Sequence, residues 1–238
     1  MKTINTRKTI RKYSDKPVSD ELLNRLLAEA MRTQTMGNLQ LYSVVVTRSA
    51  EMKEKLAPAH FCQPMVTQAP VVLTICADFN RTTRWAENRK ATPGYDNLLS
   101  FLNAATDALL YTQTFCNLAD EEGLGYCFLG TTVYNPKQII DTLKLPRLVM
   151  PVATITLGWP DENPPLTDRL PLQGIIHSET YTDYTPQLID EYYAEKEALP
   201  ENEEFVRVNN KETLAQGSPT CATPRKTTRQ CRQRCSTP

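Results

Sequence analysis

The stretch NLLSFLNAATDALLYTQTFCNLADEEGLGYCFLG, Asn97 to Gly130, decides the fold. Asn97 to Glu122 reads as one long helix. Its apolar residues Leu98, Leu99, Leu102, Ala105, Leu109 and Leu110 cover more than one face, which suits an element buried in a core or lying at a subunit interface. Gly123-Leu124-Gly125 ends it with residues that tolerate positive φ, and Tyr126 to Leu129 returns as a short strand. Upstream, Leu41 to Thr47 predicts a strand, and Pro70 to Asp78 a nearly all-apolar one of the kind found in the middle of a sheet. Ser19 supplies an N-cap to a helix carrying Leu22, Leu23, Leu26, Leu27 and Ala30 at helical spacing. Downstream, Asn135-Pro136 opens a further helix and Pro151 to Gly158 alternates as a strand. A proline-rich irregular connection leads from there to a helix from about Pro186 to Lys196. Strands and helices follow without regular βαβ alternation, so the expected class is α+β.

At 238 residues the chain can bury a core of its own, and one domain is the natural expectation. A charge or proline interrupts every apolar run before it could span a bilayer. The N-terminal cations are followed by no apolar run of signal-peptide type, so the cytoplasm is the expected compartment. Cys62, Cys76, Cys116 and Cys127 form no CxxC pair, and Cys76 and Cys116 read as small buried hydrophobes. A reducing compartment fits that usage. His60 and His177 are too few and too scattered for a metal site, and no Ser or Cys has a convincing base near it in sequence. No metal is expected, and no catalytic side chain is assigned.

The run Arg7-Lys8-Thr9-Ile10-Arg11-Lys12-Tyr13-Ser14 sets four cations and two small hydroxyls just before the first helix. Arginine forks bind phosphate oxygens two at a time and hydroxyls add a donor, each charge-assisted bond contributing about 1.5 to 3 kcal/mol. The run alone equally describes a solvated basic N-terminus. Leu157-Gly158-Trp159-Pro160 through Arg169-Leu170-Pro171 tips the balance towards phosphate.

With "TQTMGNLQ", "ADFNR" from Ala77 to Arg81, "EEGLGYCFLG", "LKLP" from Leu143 to Pro146 and "LGWPDENPPLTDRLP", the chain resembles the flavin-dependent nitroreductase family. The likeness is to its branch of larger nitroreductases and flavin reductases that use NADPH, and it runs from about Thr6 to Gln216. It implies a mixed sheet flanked by helices in an intertwined homodimer with FMN bound at the interface. It further implies that Arg7, Lys8 and Thr9, together with Arg169, hold the phosphate, and that Arg11 reaches the flavin N1/O2 edge. For Arg11 a surface ion pair is the other reading. Thr35 and Gln40 fall in a loop of small polar residues that borders flavin and substrate. Gln63 matches a flavin-contacting glutamine, or is simply an exposed loop residue. Phe128, Leu129, Gly130 and Thr131 would bring backbone close to the flavin, although core packing explains Phe128 nearly as well. Two departures stand out. Thr167 sits where the branch has a lysine, and Glu195 to Glu204 is acidic where the branch supplies arginines for the NADPH 2′-phosphate. Acids repel that phosphate, so NADPH or NADH is expected as co-substrate.

The resemblance implies an NAD(P)H-dependent enzyme passing electrons through FMN to a nitroaromatic, quinone or free flavin. The rival readings are an FMN-binding or flavin-delivery protein with little turnover, and a phosphate-binding or nucleic-acid protein led by the basic tail. Residues 217–238 carry five cations and no acid, leaving 22 basic against 27 acidic residues in the body. The body is thus mildly acidic and gives no support for nucleic acid. The body, 1–216, is expected to be the FMN-binding domain. The tail, 217–238, has no Leu, Ile, Val, Met or aromatic residue, so ordering it at about 1 to 2 kcal/mol of backbone entropy per residue finds no burial to offset the cost. Disorder is expected there. Related chains continue after a segment like ETLAQ with a stretch like FTDVRY, and a shifted reading of this tail with suitable codons gives such a stretch. The tail is therefore either a frameshift product or a natural basic extension.

Overall fold

The computed structural model describes residues 4–94 and 96–217. The described residues fall into two compact units, 4–165 and 166–217.

In the first unit, Ser19 caps α1 (Asp20–Ala30) by accepting the Leu22 amide, and Leu23, Leu26 and Ala30 face inward. There follow β1 (Tyr42–Thr47), α2 (Ala50–Leu56), α3 (Pro64–Gln68), β2 (Val71–Asp78), α4 (Asn80–Asn88), α5 (Leu98–Glu121), β3 (Gly125–Phe128), α6 (Pro136–Leu143) and β4 (Val149–Gly158). The strands pair antiparallel throughout in the order β1-β2-β4-β3. Every residue of β2 is buried, as its uninterrupted apolar run anticipates for a central strand. Opposite Ile75 and Cys76 the register passes from Ala153 to Pro151, a bulge at a proline that has no amide to give to the ladder.

Asn97 caps α5 through the Ser100 amide. The buried face of this helix carries Ala104, Ala108, Tyr111, Phe115, Cys116 and Ala119, and its alanines let it lie close to the sheet. Tyr111 stacks on Tyr42 at 4.5 Å between ring centroids and donates its hydroxyl to the Leu27 carbonyl at 3.2 Å, tying α5 to both β1 and α1. The opposite faces leave Leu98, Leu99, Leu102, Leu109 and Leu110 between 45% and 71% exposed. Cys76, Cys116 and Cys127 are free and buried, and burial pushes the Cys116 thiol up to about 12.

In the second unit, Thr185 caps α7 (Pro186–Glu197), followed by α8 (Pro200–Val208) and α9 (Leu214–Gly217). The acidic stretch read in the sequence thus spans the end of α7 and the start of α8. Of the expected tail, 217–238, only Gly217 is described; the disorder and frameshift readings lie outside the described residues. Among the described residues, no helix is long and apolar enough to cross a membrane.

The N-terminal run packs along the sheet end because two glycines leave room. A β-carbon on Gly125 would sit 2.6 to 2.8 Å from three Ile10 side-chain atoms, and one on Gly158 would sit 2.7 Å from Pro70 and 2.8 Å from Tyr13. Gly125→Ala is therefore expected to lower stability by about 1 to 3 kcal/mol through overpacking. Denaturant unfolding of the two proteins measures this, and equal midpoints would show that Ile10 is free to move aside.

Candidate flavin site

Two motifs far apart in sequence meet here. Ile10 donates its amide to the Tyr126 carbonyl of β3 at 3.0 Å, Ser14 donates to the Trp159 carbonyl at 2.9 Å, and the Asp161 amide donates to the Lys12 carbonyl at 3.0 Å. Tyr13 bridges Pro160. The Tyr13 hydroxyl donates to the Ile10 carbonyl at 2.7 Å and lies 2.6 Å from Thr156 Oγ1; burial pushes this phenol up. Lys16 sits 3.5 Å above the Trp159 ring, whose indole N–H donates to the Pro17 carbonyl at 3.1 Å. Glu162 completes the ribbon, with one carboxylate oxygen accepting the backbone amides of Arg11 at 2.5 Å and Lys12 at 3.1 Å.

Along this ribbon the cations have distinct surroundings. Arg7 lies beside the Tyr126 phenol, pulling against the burial that raises it, and near Cys116. The Lys8 ammonium donates to Asn163 Oδ1 at 2.6 Å. Thr9 is half-buried. The exposed Arg11 guanidinium lies beside the Cys127 thiol, where its charge opposes a rise caused chiefly by burial. Arg169 belongs to the second unit and folds onto its own segment, donating to Thr167 Oγ1 at 2.8 Å and the Asp168 carbonyl at 2.7 Å. Thr167, standing where a lysine was expected, is thus its local partner.

The Phe128 to Thr131 segment lies at the end of β3. Phe128 is 45% exposed and Leu129 is buried, so a simple core role describes Leu129 but not Phe128. Gly130 has nothing within 4 Å of where a β-carbon would stand, an open stretch of backbone. Thr131 is buried and its hydroxyl lies 2.9 Å from Nδ1 of the fully buried His60. His60 immediately precedes a turn in which Phe61 and Cys62 both take left-handed φ, 55° and 52°, and this turn delivers Gln63 as the N-cap of α3. The Asn135 amide donates to the Ala59 carbonyl at 3.1 Å. The ring and that amide join the Gln63 segment to the Gly130 segment. Thr35 and Gln40 bracket a loop that also has left-handed backbone. Gln40 turns its amide onto the Asn38 carbonyl at 2.7 Å rather than outwards.

A flavin mononucleotide fits this donor set. Arg7, Lys8 and Thr9 offer cations and a hydroxyl suited to a phosphate, Arg11 an exposed guanidinium on a fixed backbone, and Gly130 a backbone that a flat ring could approach. Among the described residues, no cluster of His, Cys, Asp or Glu could hold a metal.

Residues 4–159 match the family model described as the nitroreductase family. The chain belongs to the nitroreductase family. It is 31% identical to an FMN reductase [NAD(P)H] of Bacillus subtilis, covering 90% of this chain and 86% of that one. It is 30% identical to an oxygen-insensitive NADPH nitroreductase of Salmonella typhimurium, over 78% and 75% of the two chains. A putative oxidoreductase from Bacteroides fragilis superposes with a TM-score of 0.92 at 56% identity, covering 98% of this nitroreductase-family chain and 95% of the other.

The sequence alone passed over His60, Glu162 and Asp107. Only Asp107 left a signal, as the one charged residue between Leu98 and Ala119.

Burial holds the His60 imidazole down to about 4, against 6.5 for an ordinary histidine. The folded state therefore resists a proton that the unfolded chain takes up, so stability present above 6.5 is lost as pH falls towards 4. Between about pH 7 and about pH 5 the parent is expected to lose about 2 kcal/mol more than His60→Gln. Denaturant unfolding of both proteins at the two pH values measures the difference. Equal losses would show that the ring can protonate in place.

Proposed function

We propose that the protein is an FMN-dependent oxidoreductase. It passes electrons from NAD(P)H through bound flavin to a nitroaromatic, quinone or free flavin, and works as a cytoplasmic homodimer. The observation that carries this reading is the basic run fixed against Tyr126 of β3 and the Gly158 to Asn163 segment, in a chain of the nitroreductase family.

The flavin supplies the two-electron chemistry, and the protein binds, orients and tunes it. Arg7, Lys8 and Thr9 would take the phosphate, with Lys8 exchanging its neutral Asn163 partner for a stronger charged one; Arg169 is proposed for the same role by resemblance alone. Arg11 would present its charge to the N1/O2 edge, where negative charge gathers on reduction. Glu162 fixes the Arg11 backbone through its amide and so restricts the places the guanidinium can reach. Phe128 to Thr131 and Gln63 would border the ring, with Thr35 and Gln40 on the acceptor side. Taking electrons from the nicotinamide needs no acid or base, and none is assigned. The exposed leucines of α5 support a partner subunit, which a solution mass of twice the chain mass would bear out.

Coenzyme choice follows from the second unit. Lys196 is paired with Asp168 at 2.7 Å and Arg207 with Glu204 at 2.6 Å. The cations of α7 and α8 are thus engaged by carboxylates amid further acids, an environment that repels an added phosphate. This supports NADH use beside NADPH.

Anaerobic titration of the FMN-loaded protein with each nicotinamide, read by flavin absorbance, tests the proposal. Rapid bleaching is expected, with less than about a tenfold preference for NADPH, equivalent to about 1.4 kcal/mol. A protein that holds FMN but bleaches slowly with both would be the carrier. A colourless protein that cannot be reconstituted would overturn the reading altogether. Arg11→Ala is expected to slow flavin reduction by about a hundredfold to a thousandfold, as for a lost oxyanion donor, with a smaller change in FMN affinity. An unchanged reduction rate would remove Arg11 from that role.

A further inference from the structure

We propose that Asp107 is a positioning residue that holds the Thr35 to Gln40 loop in the shape that receives the electron acceptor. This rests on the reading of that loop as the border of flavin and acceptor.

Asp107 is fully buried in the middle of α5. Its two oxygens are taken by backbone amides from the two ends of the loop: Oδ1 accepts from Met36 at 2.9 Å and Oδ2 from Leu41 at 3.1 Å. Between those anchors the backbone is left-handed at Gly37, Asn38 and Gln40, with φ of 56°, 55° and 50°. Side chains other than glycine adopt such angles in a short loop only when the surroundings impose them. The opposite charge holds the following backbone. The Arg81 guanidinium donates to the Gln40 carbonyl and, at 3.3 Å, to the Tyr42 carbonyl. Asp78 in turn fixes the start of the helix that carries Arg81, accepting the Asn80 amide at 2.8 Å and the Ser43 hydroxyl. A carboxylate therefore takes the amides of the loop and a guanidinium takes its carbonyls.

The clamp has a chemical consequence. With both charges engaged by backbone, the rim it shapes is Thr35, Met36, Gly37 and Asn38, which carries no charge and includes Met36 at 46% exposure. Such a rim suits a flat, uncharged acceptor, a quinone or a neutral nitroaromatic, over an anionic one. Asparagine cannot replace Asp107, because its one acceptor oxygen serves a single amide and its NH2 faces the other.

The test compares Asp107→Asn and Asp107→Ala in FMN-loaded protein with Thr112→Val. Thr112→Val removes a buried hydroxyl bond to Ala108 on the same helix, away from the loop, and so reports loss of helix stability alone. For both Asp107 variants we expect smaller losses in FMN affinity and in the rate of bleaching by NADH than in the acceptor half-reaction. The kcat/KM for a neutral quinone should fall by about tenfold to a hundredfold, the scale of a misplaced reactant. Hydrogen exchange should accelerate at both the Met36 and Leu41 amides in Asp107→Ala, at one of the two in Asp107→Asn, and at neither in Thr112→Val. Parental quinone kinetics in Asp107→Ala, or equal losses in both half-reactions matching those of Thr112→Val, would overturn the proposal. A parent protein that takes up no FMN would instead overturn the functional reading and the acceptor role with it. The amide exchange would still decide whether the clamp exists.

Discussion

The close contact of residues 10 to 14 with the ends of β3 and β4 is the constraint on which the candidate site depends. A basic run of this composition would, left to itself, move through water with its charges apart. It is fixed because Gly125 and Gly158 lack the β-carbons that would collide with Ile10 and Tyr13, and because the backbone amides there find acceptors on Tyr126, Trp159 and Glu162. Each of these bonds is modest on its own, about 0.5 to 1.5 kcal/mol, or more where an ionised acceptor is involved. Together they convert a flexible cationic segment into a placed one. A cation whose backbone is fixed loses less freedom on meeting a phosphate, which is how preorganisation raises affinity without adding contacts.

Three buried ionisable groups, Asp107, Lys53 and His60, are met by backbone or by a hydroxyl rather than by a paired charge. Asp107 takes two amides. Lys53 gives its ammonium to the Ala69 carbonyl at 2.7 Å, tying α2 to the end of α3, and burial holds its pKa below the ordinary lysine value. His60 meets burial by staying neutral, with Nδ1 at Thr131. Ion pairs would leave these loops sensitive to salt and to a moving partner. Hydrogen bonds from a buried group to main chain fix the backbone itself, and in this chain the fixed backbone is that of Met36, Leu41 and Ala69.

The legible part of the fold was the part governed by local periodicity. The helix read over Asn97 to Glu122 is α5, Leu98–Glu121, and the apolar run Pro70 to Asp78 is the central strand β2. Short helices such as α2 and α4 escaped notice, because seven or nine residues rich in charge and amide show too little apolar stripe to be told from loop. The helix read from about Pro186 to Lys196 is α7, Pro186–Glu197, whereas the acids of α8 were visible only as charge. In the site, the types of residue for a phosphate could be read from a run of eight residues. Glu162 could not, since its partners are amides 150 residues away and every residue but proline carries an amide. His60 was discounted for lack of nearby ligands, although its role depends on Thr131, 71 positions downstream.

If the proposed dimer forms on the leucines of α5, the two faces of that helix would connect subunit assembly to the proposed acceptor side of the site. Asp107 points inward to the loop, while Leu109 and Leu110, within one turn of it, are nearly half exposed. Residues three or four apart on a helix share a face, so Asp107 also lies beside Leu110 and Tyr111 along the helix, and Tyr111 stacks on Tyr42 just after the loop. A partner seated on the leucines of this helix would therefore restrain the same turn that holds Met36 and Leu41, and a monomer would lack that restraint. On this argument, mutations at the leucine face should reach the acceptor half-reaction through Asp107 before they reach the phosphate end, where the basic run is anchored to strands rather than to α5.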